Sequence, residues 1–381
     1  MQPIYGYDDV GNHATMLVDA ARMRAFAEAI RRAVRPEDVV VDVGSGTGVL
    51  AVLAAQAGAR RVYAIEAGPM AHVIERVAEH NSMSERIRVI RGDARDVEFD
   101  GPDADKPTLI VSEMIGSFGL DEDYLALLGS VRARCAPGCR VLPASVSIHL
   151  ALASMPALTT EVDTIRTGFG IRLDDVAELL VSRPCMAWAR AADLVTNATP
   201  QKRFSVGDPA PRTVGGPVTA RCNGTANAIV GWFESELVTG LTLSSSPEEP
   251  ATHWSQMVFP LDPPLTLVAG EAVDLEVRPR IITDRATWSW GARSQREARV
   301  GDAMKSLVGS RDDVLRRLGA RIGAPDPRAS TQLQRWAAAL GGEVESLPVM
   351  AQRLRAAFPR RYVDDDDARR EVERFVRVAD R

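Results

Sequence analysis

Glu113 and Glu122 bracket a loop that contains two glycines and follows a short apolar run. A pair of carboxylates can hold a planar cation such as a guanidinium, because two-pronged hydrogen bonds to an ionised group are strong and directional. An acid pair alone is weak evidence, since 25% of the chain is charged and such side chains usually lie in water. The elements around the loop therefore decide whether the pair can do chemistry.

The pattern upstream of this loop is typical of a nucleoside-binding sheet. A β-branched run, Val39–Val43, predicts a buried strand, and it leads directly into a glycine loop at 44–48 and then a helix. Glycines in such a turn let a ligand approach the backbone more closely than a Cβ permits. A second strand ends in Glu66, about twenty residues beyond the loop, where an acid can bind both ribose hydroxyls. The Gly-x-Gly-x-Gly spacing departs from the dinucleotide fingerprint, which disfavours an NAD-dependent oxidoreductase.

Two further strands complete the predicted sheet. Ile87–Arg91 is followed by Asp93 and Ala94, at the place where nucleoside-binding sheets meet the adenine base. An ordinary turn is the alternative for these two residues. The fourth strand, 108–111, delivers Glu113 to the carboxyl edge of the sheet, where doubly wound folds bind their ligands. This location favours a role in ligand binding for Glu113.

The chain is predicted to comprise four segments. An N-terminal helical segment occupies 1–35, with one helix from 14 to about 32 on which Asp19 and Arg22 share a face. The nucleoside-binding domain spans 36–143. Short alternating strands with Pro- and Gly-rich turns then predict a β-barrel or sandwich over 144–300, interrupted by a helix at 173–180. Helical patterns return in an extension at 301–381.

Composition bounds the class of protein. The net charge of −5 argues against binding to nucleic acid and is compatible with a cationic substrate. The four cysteines form neither a disulfide framework nor a metal-ligand spacing, so no metal is expected. No apolar run reaches membrane-spanning length, and the amino terminus lacks a signal pattern, which predicts a cytoplasmic protein with no membrane partner. Abundant arginine beside only three lysines suggests GC-rich coding and a bacterial source.

Four motifs in the same order resemble those of the protein arginine methyltransferase family, and the resemblance covers about residues 5–295. The first two are similar to that family's S-adenosylmethionine (AdoMet) loop and ribose acid, the third to its double-glutamate loop, and the fourth to its Thr-His-Trp loop. They lie at 41–50, 57–67, 112–122 and 246–256. The resemblance implies a Rossmann-like AdoMet-binding domain followed by a β-barrel, a helical dimerisation arm at about 165–192, and a homodimer.

The resemblance also assigns site residues by position. Glu113 and Glu122 would be catalytic, together with a His253–Asp19 pair that either accepts the released proton or ties the barrel to the sheet. Residues that would bind AdoMet are His13, Arg22, Gly44, Gly46, Glu66, Asp93 and Ala94. Arg22 would meet the methionine carboxylate. Residues that would line the substrate site are Tyr7, Met16 and Trp254.

These residues predict an AdoMet-dependent methyltransferase acting on arginine in a protein or peptide. Alternatives are the same chemistry on a small guanidine or amine metabolite, and a catalytically silent AdoMet-binding assembly protein. The product pattern stays open, because Tyr124 stands where members making asymmetric dimethylarginine carry a second methionine. The extension at 301–381 lies outside the resemblance and is either a peptide-recognition module or a structural addition.

Overall fold

The computed structural model describes residues 10–99, 105–120, 124–209, 211–282 and 285–303, and four helical positions at 349, 352, 353 and 355. Two compact units divide the chain, 1–311 and 312–381. Apart from those four positions, the helices predicted in the C-terminal extension lie outside the described residues. The segment boundaries predicted at 35, 143 and 300 stay predictions. No helix in the described part of the chain is long and apolar enough to cross a membrane.

The first unit begins with two helices, α1 (Val10–Val18) and α2 (Ala20–Ala33). The prediction of one continuous helix over 14–32 was therefore wrong, because the chain breaks at Asp19. Asp19 is extended, with φ −68° and ψ 91°, and its carboxylate accepts a hydrogen bond from the backbone nitrogen of Arg22. Aspartate is a strong helix N-cap, and here that preference outweighs the helical spacing of the apolar residues around it.

A five-stranded parallel sheet follows, in the spatial order β3-β2-β1-β4-β5. The whole of β1 is buried, as expected for a β-branched strand covered on both faces. This architecture confirms the predicted Rossmann-like domain. Its strands are β1 (Val39–Val43), β2 (Arg61–Glu66), β3 (Ile87–Arg91), β4 (Leu109–Ser112) and β5 (Arg140–Leu142), and its helices are α3 (Val49–Gln56), α4 (Ala71–His80) and α5 (Tyr124–Arg132).

The order of the strands reverses between β1 and β4, which are direct neighbours in the sheet. Such a reversal opens a crevice at the carboxyl ends of the strands, where open α/β sheets bind their ligands. The glycine loop leaves β1 and Glu113 leaves β4 at this crevice. The two motifs singled out in the sequence therefore share one edge of the sheet.

Antiparallel strands build the rest of the unit in two sheets. One sheet contains β6 (Ser145–Ala153), β7 (Cys185–Ala187), β8 (Thr199–Phe204), β10 (Gly224–Val238), β11 (Leu241–Ser244) and β12 (Gln256–Leu267). The other contains β9 (Val214–Thr219), β13 (Ala272–Ile282), β14 (Arg285–Arg293) and β15 (Ala298–Asp302). The antiparallel half is thus as predicted, and closure of these sheets into a barrel stays a prediction.

Two helices, α6 (Pro156–Thr167) and α7 (Asp174–Val181), lie between β6 and β7; α7 falls within the predicted arm at about 165–192, and most of α6 precedes it. The sequence analysis predicted only the second of them. A proline in the first turn of α6 was a usable signal, because proline fits the start of a helix without losing a hydrogen bond. Large apolar side chains are exposed in and beside α7, namely Ile171, Leu173 and Val176.

Candidate active site

Glu113 lies buried at the end of β4, and its partner is Arg22 of α2. The Nε and Nη2 atoms of Arg22 both donate to Oε2 of Glu113, at 2.9 and 2.6 Å. The two side chains are 6% and 5% exposed, so this ion pair is shielded from water. No hydrogen bond from the described residues reaches the other oxygen, Oε1. One oxygen of the carboxylate is therefore occupied by Arg22, and the other can accept a ligand's hydrogen bonds.

The loop that carries Glu113 is anchored in the antiparallel half by Phe118. This ring is fully buried and packs edge-on against Phe259 and Trp288, with ring centroids 5.6 and 5.5 Å apart. A Cβ added to Gly231 on β10 would lie 2.3 Å from the Phe118 ring, so only glycine leaves room for it. At the other end of the loop, the Ser112 hydroxyl donates to the carbonyl of Val43 at 2.8 Å. Glu113 is thus held from both sides.

Asp19 and His253 form the predicted pair between the N-terminal helices and the loop before β12. Oδ2 of Asp19 lies 2.8 Å from the backbone nitrogen of His253 and 2.9 Å from its ring Nδ1. Burial acts to raise the pKa of Asp19, but hydrogen bonds from the backbones of Arg22 and His253 and from the His253 ring outweigh it and hold that pKa below its ordinary value. Asp19 is therefore ionised at neutral pH.

The ionised carboxylate fixes the state of the histidine ring. Because a carboxylate can only accept, Nδ1 of His253 carries the hydrogen, and the lone pair of a neutral ring is then on Nε2. Burial lowers the pKa of His253, although Asp19 and Glu113 act in the opposite direction. The ring is accordingly neutral at neutral pH and able to accept a proton. Trp254, predicted to line the substrate site, is 5% exposed and packs edge-on against Phe233 at 5.0 Å, so its ring supports the histidine loop from within the core.

The glycine loop is tied to the acid at the end of β2. The two carboxylate oxygens of Glu66 accept hydrogen bonds from the backbone nitrogens of Gly46 and Gly68, at 2.8 and 2.7 Å. Gly44 and Gly46 have left-handed backbone conformations, with φ of 69° and 54°. A Cβ on Gly44 would lie 2.8 Å from Sδ of Met114, and one on Gly46 would lie 2.9 Å from Cε1 of His13. His13 and the Glu113 loop therefore both reach the predicted AdoMet cradle.

This cradle fits a nucleoside cofactor. Its bare backbone lies at the start of α3, whose amino terminus supplies positive potential, and Glu66 stands where ribose hydroxyls would be bound. Beneath the loop, Asp42 is fully buried, and its Oδ1 has no hydrogen-bond partner among the described residues. Burial raises the pKa of Asp42 to about 7. A carboxyl oxygen under the cradle that has no partner among the described residues is suited to a polar ligand or water above it. The sequence analysis did not identify Asp42 as a site residue.

Of the remaining predicted residues, three lie within the part of the chain that the structure describes and two lie outside it. Asp93 and Ala94 follow β3, where Asp93 accepts a hydrogen bond from the backbone of Arg95 at 2.8 Å and Ala94 is buried. Met16 lies beside the ion pair, because its carbonyl accepts from Nη1 of Arg22 at 3.2 Å. Tyr7 and Glu122 lie outside the described residues, so their positions stay predictions.

Tyr124, the residue that left the product pattern open, is the first residue of α5 and is 2% exposed. Its hydroxyl donates to the carbonyl of Pro143 at 3.3 Å, and burial raises its pKa. The hydroxyl is therefore engaged with the turn between β5 and β6. Among the described residues, no group of three or more His, Cys, Asp or Glu side chains could hold a metal ion.

We expect Glu66→Ala to weaken AdoMet binding. The change removes the acid proposed for the ribose hydroxyls and also frees the backbone nitrogens of Gly46 and Gly68. Loss of hydrogen bonds to a charged group costs about 1.5–3 kcal/mol, or roughly ten- to a hundredfold in the dissociation constant. Calorimetric titration with AdoMet measures the dissociation constant. Glu75→Ala, on the exposed face of α4, is the control. Equal affinities in the two variants would refute the ribose assignment.

Comparison with known protein families gives two matches. Residues 145–287 match the family model described as the arginine methyltransferase oligomerization subdomain. Residues 19–116 match the model of the TRM5/TYW2 methyltransferase domain. The first match spans most of the antiparallel half with α6 and α7, and the second spans the parallel sheet as far as the Glu113 loop.

Individual relatives are also similar. Protein arginine N-methyltransferase 1 of Oryza sativa subsp. indica is 30% identical over 278 residues, covering 70% of this chain and 71% of the relative. An arginine N(omega)-methyltransferase of Streptomyces achromogenes subsp. streptozoticus is 29% identical over 276 residues, covering 70% of this chain and 75% of the relative.

Solved structures share the fold. The Trypanosoma brucei PRMT1 enzyme-prozyme complex with AdoHcy superposes with a TM-score of 0.69 at 24% identity, covering 76% of this chain and 94% of that one. Arabidopsis thaliana protein arginine methyltransferase 10 superposes with a TM-score of 0.68 at 20% identity, covering 78% and 99%.

Proposed function

We propose a site mechanism for this chain from the premise that it belongs to the protein arginine methyltransferase family. It is an AdoMet-dependent N-methyltransferase that transfers methyl groups to the guanidino nitrogen of arginine. The observation that carries the mechanism is the buried Glu113 carboxylate, which has one oxygen hydrogen-bonded to Arg22 and one oxygen without a partner among the described residues. A neighbouring Asp19–His253 pair supplies a neutral imidazole.

Glu113 and Glu122 would bind the substrate guanidinium between them. A free guanidinium is a poor nucleophile, because its charge and lone pairs are delocalised over three nitrogens. Two carboxylates draw the positive charge towards the nitrogens they contact and leave one terminal nitrogen richer in electrons. AdoMet, when bound, supplies the electrophilic methyl group. The residues that would hold AdoMet are His13, Arg22, Gly44, Gly46, Glu66, Asp93 and Ala94. Because cofactor and substrate would both be held in place, much of the rate would come from their relative orientation.

Arg22 would contact both the carboxylate that binds the substrate and the cofactor. Its guanidinium occupies one oxygen of Glu113 and leaves the other oxygen for the substrate cation. The same guanidinium is proposed to meet the methionine carboxylate of AdoMet. A side chain that contacts both groups would hold Glu113 in a fixed orientation towards the cofactor.

The Asp19–His253 pair would receive the proton that the substrate nitrogen releases. The Nε2 lone pair of a neutral His253 can accept it, and ionised Asp19 stabilises the resulting imidazolium. The same pair also links the start of α2 to the start of β12, so it has a structural role beside the chemical one. Met16, Tyr7 and Trp254 remain proposed as lining or supporting residues of the substrate site.

The proposed substrate is arginine within a protein or peptide, and the proposed assembly is a homodimer in a bacterial cytoplasm. The exposed apolar residues of the arm and the oligomerization model that matches 145–287 support self-association. The Streptomyces relative is named for arginine alone, which keeps free arginine as a second candidate substrate.

Incubation with labelled AdoMet tests this function. Expected products are methylarginines, detected by mass spectrometry after acid hydrolysis of a peptide library containing arginine, and in a parallel reaction with free arginine. Label in the peptide fraction supports the protein substrate, and label only in free arginine supports the second candidate. AdoMet binding without any methylated guanidine would refute the proposed chemistry.

A further inference from the structure

We propose that Met186 and Trp188 form a shelf that binds an apolar side chain of the substrate polypeptide, a few residues from the arginine to be methylated. Met186 is 54% exposed and Trp188 is 52% exposed. Both are large apolar side chains in water, which a protein usually reserves for a binding surface when they occur together. The proposal rests on the proposed function and narrows its substrate class.

The direction of the shelf follows from the pleat of β7. Side chains alternate between the two faces of a strand, and Cys185, Ala187 and Ala189 face the small core beneath the arm. Met186 therefore faces the opposite side, and Trp188, directly beyond the end of β7, continues the alternation because it is exposed between the less exposed Ala187 and the buried Ala189. Met186 pairs directly with Met257 of β12, whose side chain belongs to the main core between the two halves of the unit. The shelf thus lies on the face of the sheet that meets the Glu113 loop.

The shelf is continuous with the catalytic loop. Sδ of Met186 lies 3.8 Å from the hydroxyl of Ser117, four residues beyond Glu113. The partner strand β12 begins two residues after Trp254, so the histidine loop leads into the same edge. A chain that places its arginine on Glu113 would pass over Ser117 and then over Met186. Trp188, one residue beyond the end of β7, extends this surface.

The edge of β7 favours a polypeptide as the occupant. Among the described residues, β7 pairs with β12 alone, so one side of it has no strand neighbour. Peptide groups point alternately to the two sides of a strand, and an edge strand offers its outward groups to another extended chain. A small guanidine metabolite would have neither a backbone to pair with this edge nor a side chain to cover the shelf. Polypeptide recognition by strand addition uses both.

A second copy of this chain is a less fitting occupant of the shelf. Met186 and Trp188 lie within the predicted arm at about 165–192, but the other exposed large apolar residues of the arm, Ile171, Leu173 and Val176, lie in and beside α7. These residues supply a separate surface for self-association, whereas the shelf adjoins the loop that carries Glu113. The two surfaces are therefore assigned different partners.

Steady-state kinetics on single-arginine peptides tests the shelf. One peptide series carries a leucine scanned along both sides of the arginine, and a matched series carries serine at the same positions. We expect the full-length protein to prefer the best leucine peptide by about tenfold or more in kcat/KM, because burying a leucine side chain favours binding by that order. Trp188→Ala and Met186→Ser should remove the preference through KM and leave kcat nearly unchanged.

Two controls separate the possible outcomes. Val300→Ala, at an apolar residue on β15 that is 75% exposed, should behave as the wild type. Turnover of free arginine, where it occurs, should be the same in all variants. A leucine preference that survives in both Trp188→Ala and Met186→Ser, or no preference in the wild type, overturns the shelf. A changed sedimentation coefficient of the shelf variants would also overturn it, because a second copy would then occupy the surface. Failure of the proposed function itself appears as no methylation of any guanidine by the wild type.

Discussion

Glu113→Gln is expected to lower kcat by about a thousandfold, the order seen when a preorganised charge-stabilising group is removed from an active site. The variant keeps the size and the hydrogen-bonding oxygen of the side chain but loses the negative charge. The substrate guanidinium then has one carboxylate fewer to draw its charge away from the attacking nitrogen. Binding of AdoMet should persist, because Glu66 and the glycine loop are unchanged. Single-turnover kinetics measures the rate of methyl transfer, and calorimetry measures the affinity for AdoMet.

The same substitution also removes the charged partner of Arg22. Both side chains are almost fully buried, and breaking a buried pair costs about 3–5 kcal/mol when the remaining charge has no compensation. A lower melting temperature is therefore expected, and kinetics must be measured below it. Glu28→Gln is the matched control, since Glu28 lies on α2, the helix of Arg22, has a side chain that is 33% exposed, and pairs with Arg31 and Arg32. Near-normal turnover of Glu113→Gln in folded protein would refute the double-glutamate mechanism.

Asp19→Asn is expected to lower kcat by about a hundredfold, the scale of a general base, and also to destabilise the fold. Oδ2 of Asp19 receives two hydrogens, one from the backbone and one from the ring of His253. An asparagine that keeps its oxygen on Arg22 turns its amide hydrogens towards these donors. The ring then favours the other tautomer, with its hydrogen on Nε2, and loses the lone pair that would accept the proton.

Asp38→Asn separates the chemical role of Asp19 from its structural role. Asp38 is equally buried and holds Arg140 and Thr108, but it lies at the start of β1, at the opposite end of the strand from the glycine loop. Both variants should lose stability, and only Asp19→Asn should lose turnover. Equal kcat values in the two folded variants would leave the Asp19–His253 pair with a structural role alone.

The loss of stability in Asp19→Asn should depend on pH in a defined direction. The folded-state pKa of Asp19 is below its unfolded value of about 4, so its stabilising contribution is complete above that pH. It is lost as the pH falls through the folded-state pKa. The difference in free energy of unfolding between wild type and variant is therefore expected to be constant from neutral pH upwards. It should rise as the pH falls through the pKa of His253, which the Asp19 charge holds higher in the wild type, and shrink below the pKa of Asp19.

The sequence predicted the parallel sheet closely, because its strands are specified by local patterns. The predicted bounds of β1 and β3 agree with the structure, since both strands are rich in Val and Ile and end directly before a glycine. Local patterns also gave the position of Glu66 and of the loop at Glu113. Asp19 shows the limit of such local patterns. It lies within a stretch of helical periodicity, so its preference for the N-cap of a helix was not recognised.

Contacts between distant segments had no such local signal. Arg22 and Glu113 are 91 residues apart, and nothing in either neighbourhood indicates that they pair. Sequence reasoning assigned Arg22 to the cofactor through resemblance, but not to the carboxylate that binds the substrate. The fit of Phe118 over Gly231 was missed for the same reason, since a lone glycine in a strand is compatible with many close approaches.

The docking of Phe118 has a consequence for synthesis of the protein on the ribosome. The Glu113 loop is translated early, but its anchor Phe118 packs against the backbone of Gly231 and the rings of Phe259 and Trp288. A nascent chain can complete the cofactor-binding sheet well before these residues emerge. The Glu113 side chain would reach its final position only when translation has passed β14. The growing polypeptide would therefore complete its cofactor-binding site before its catalytic site.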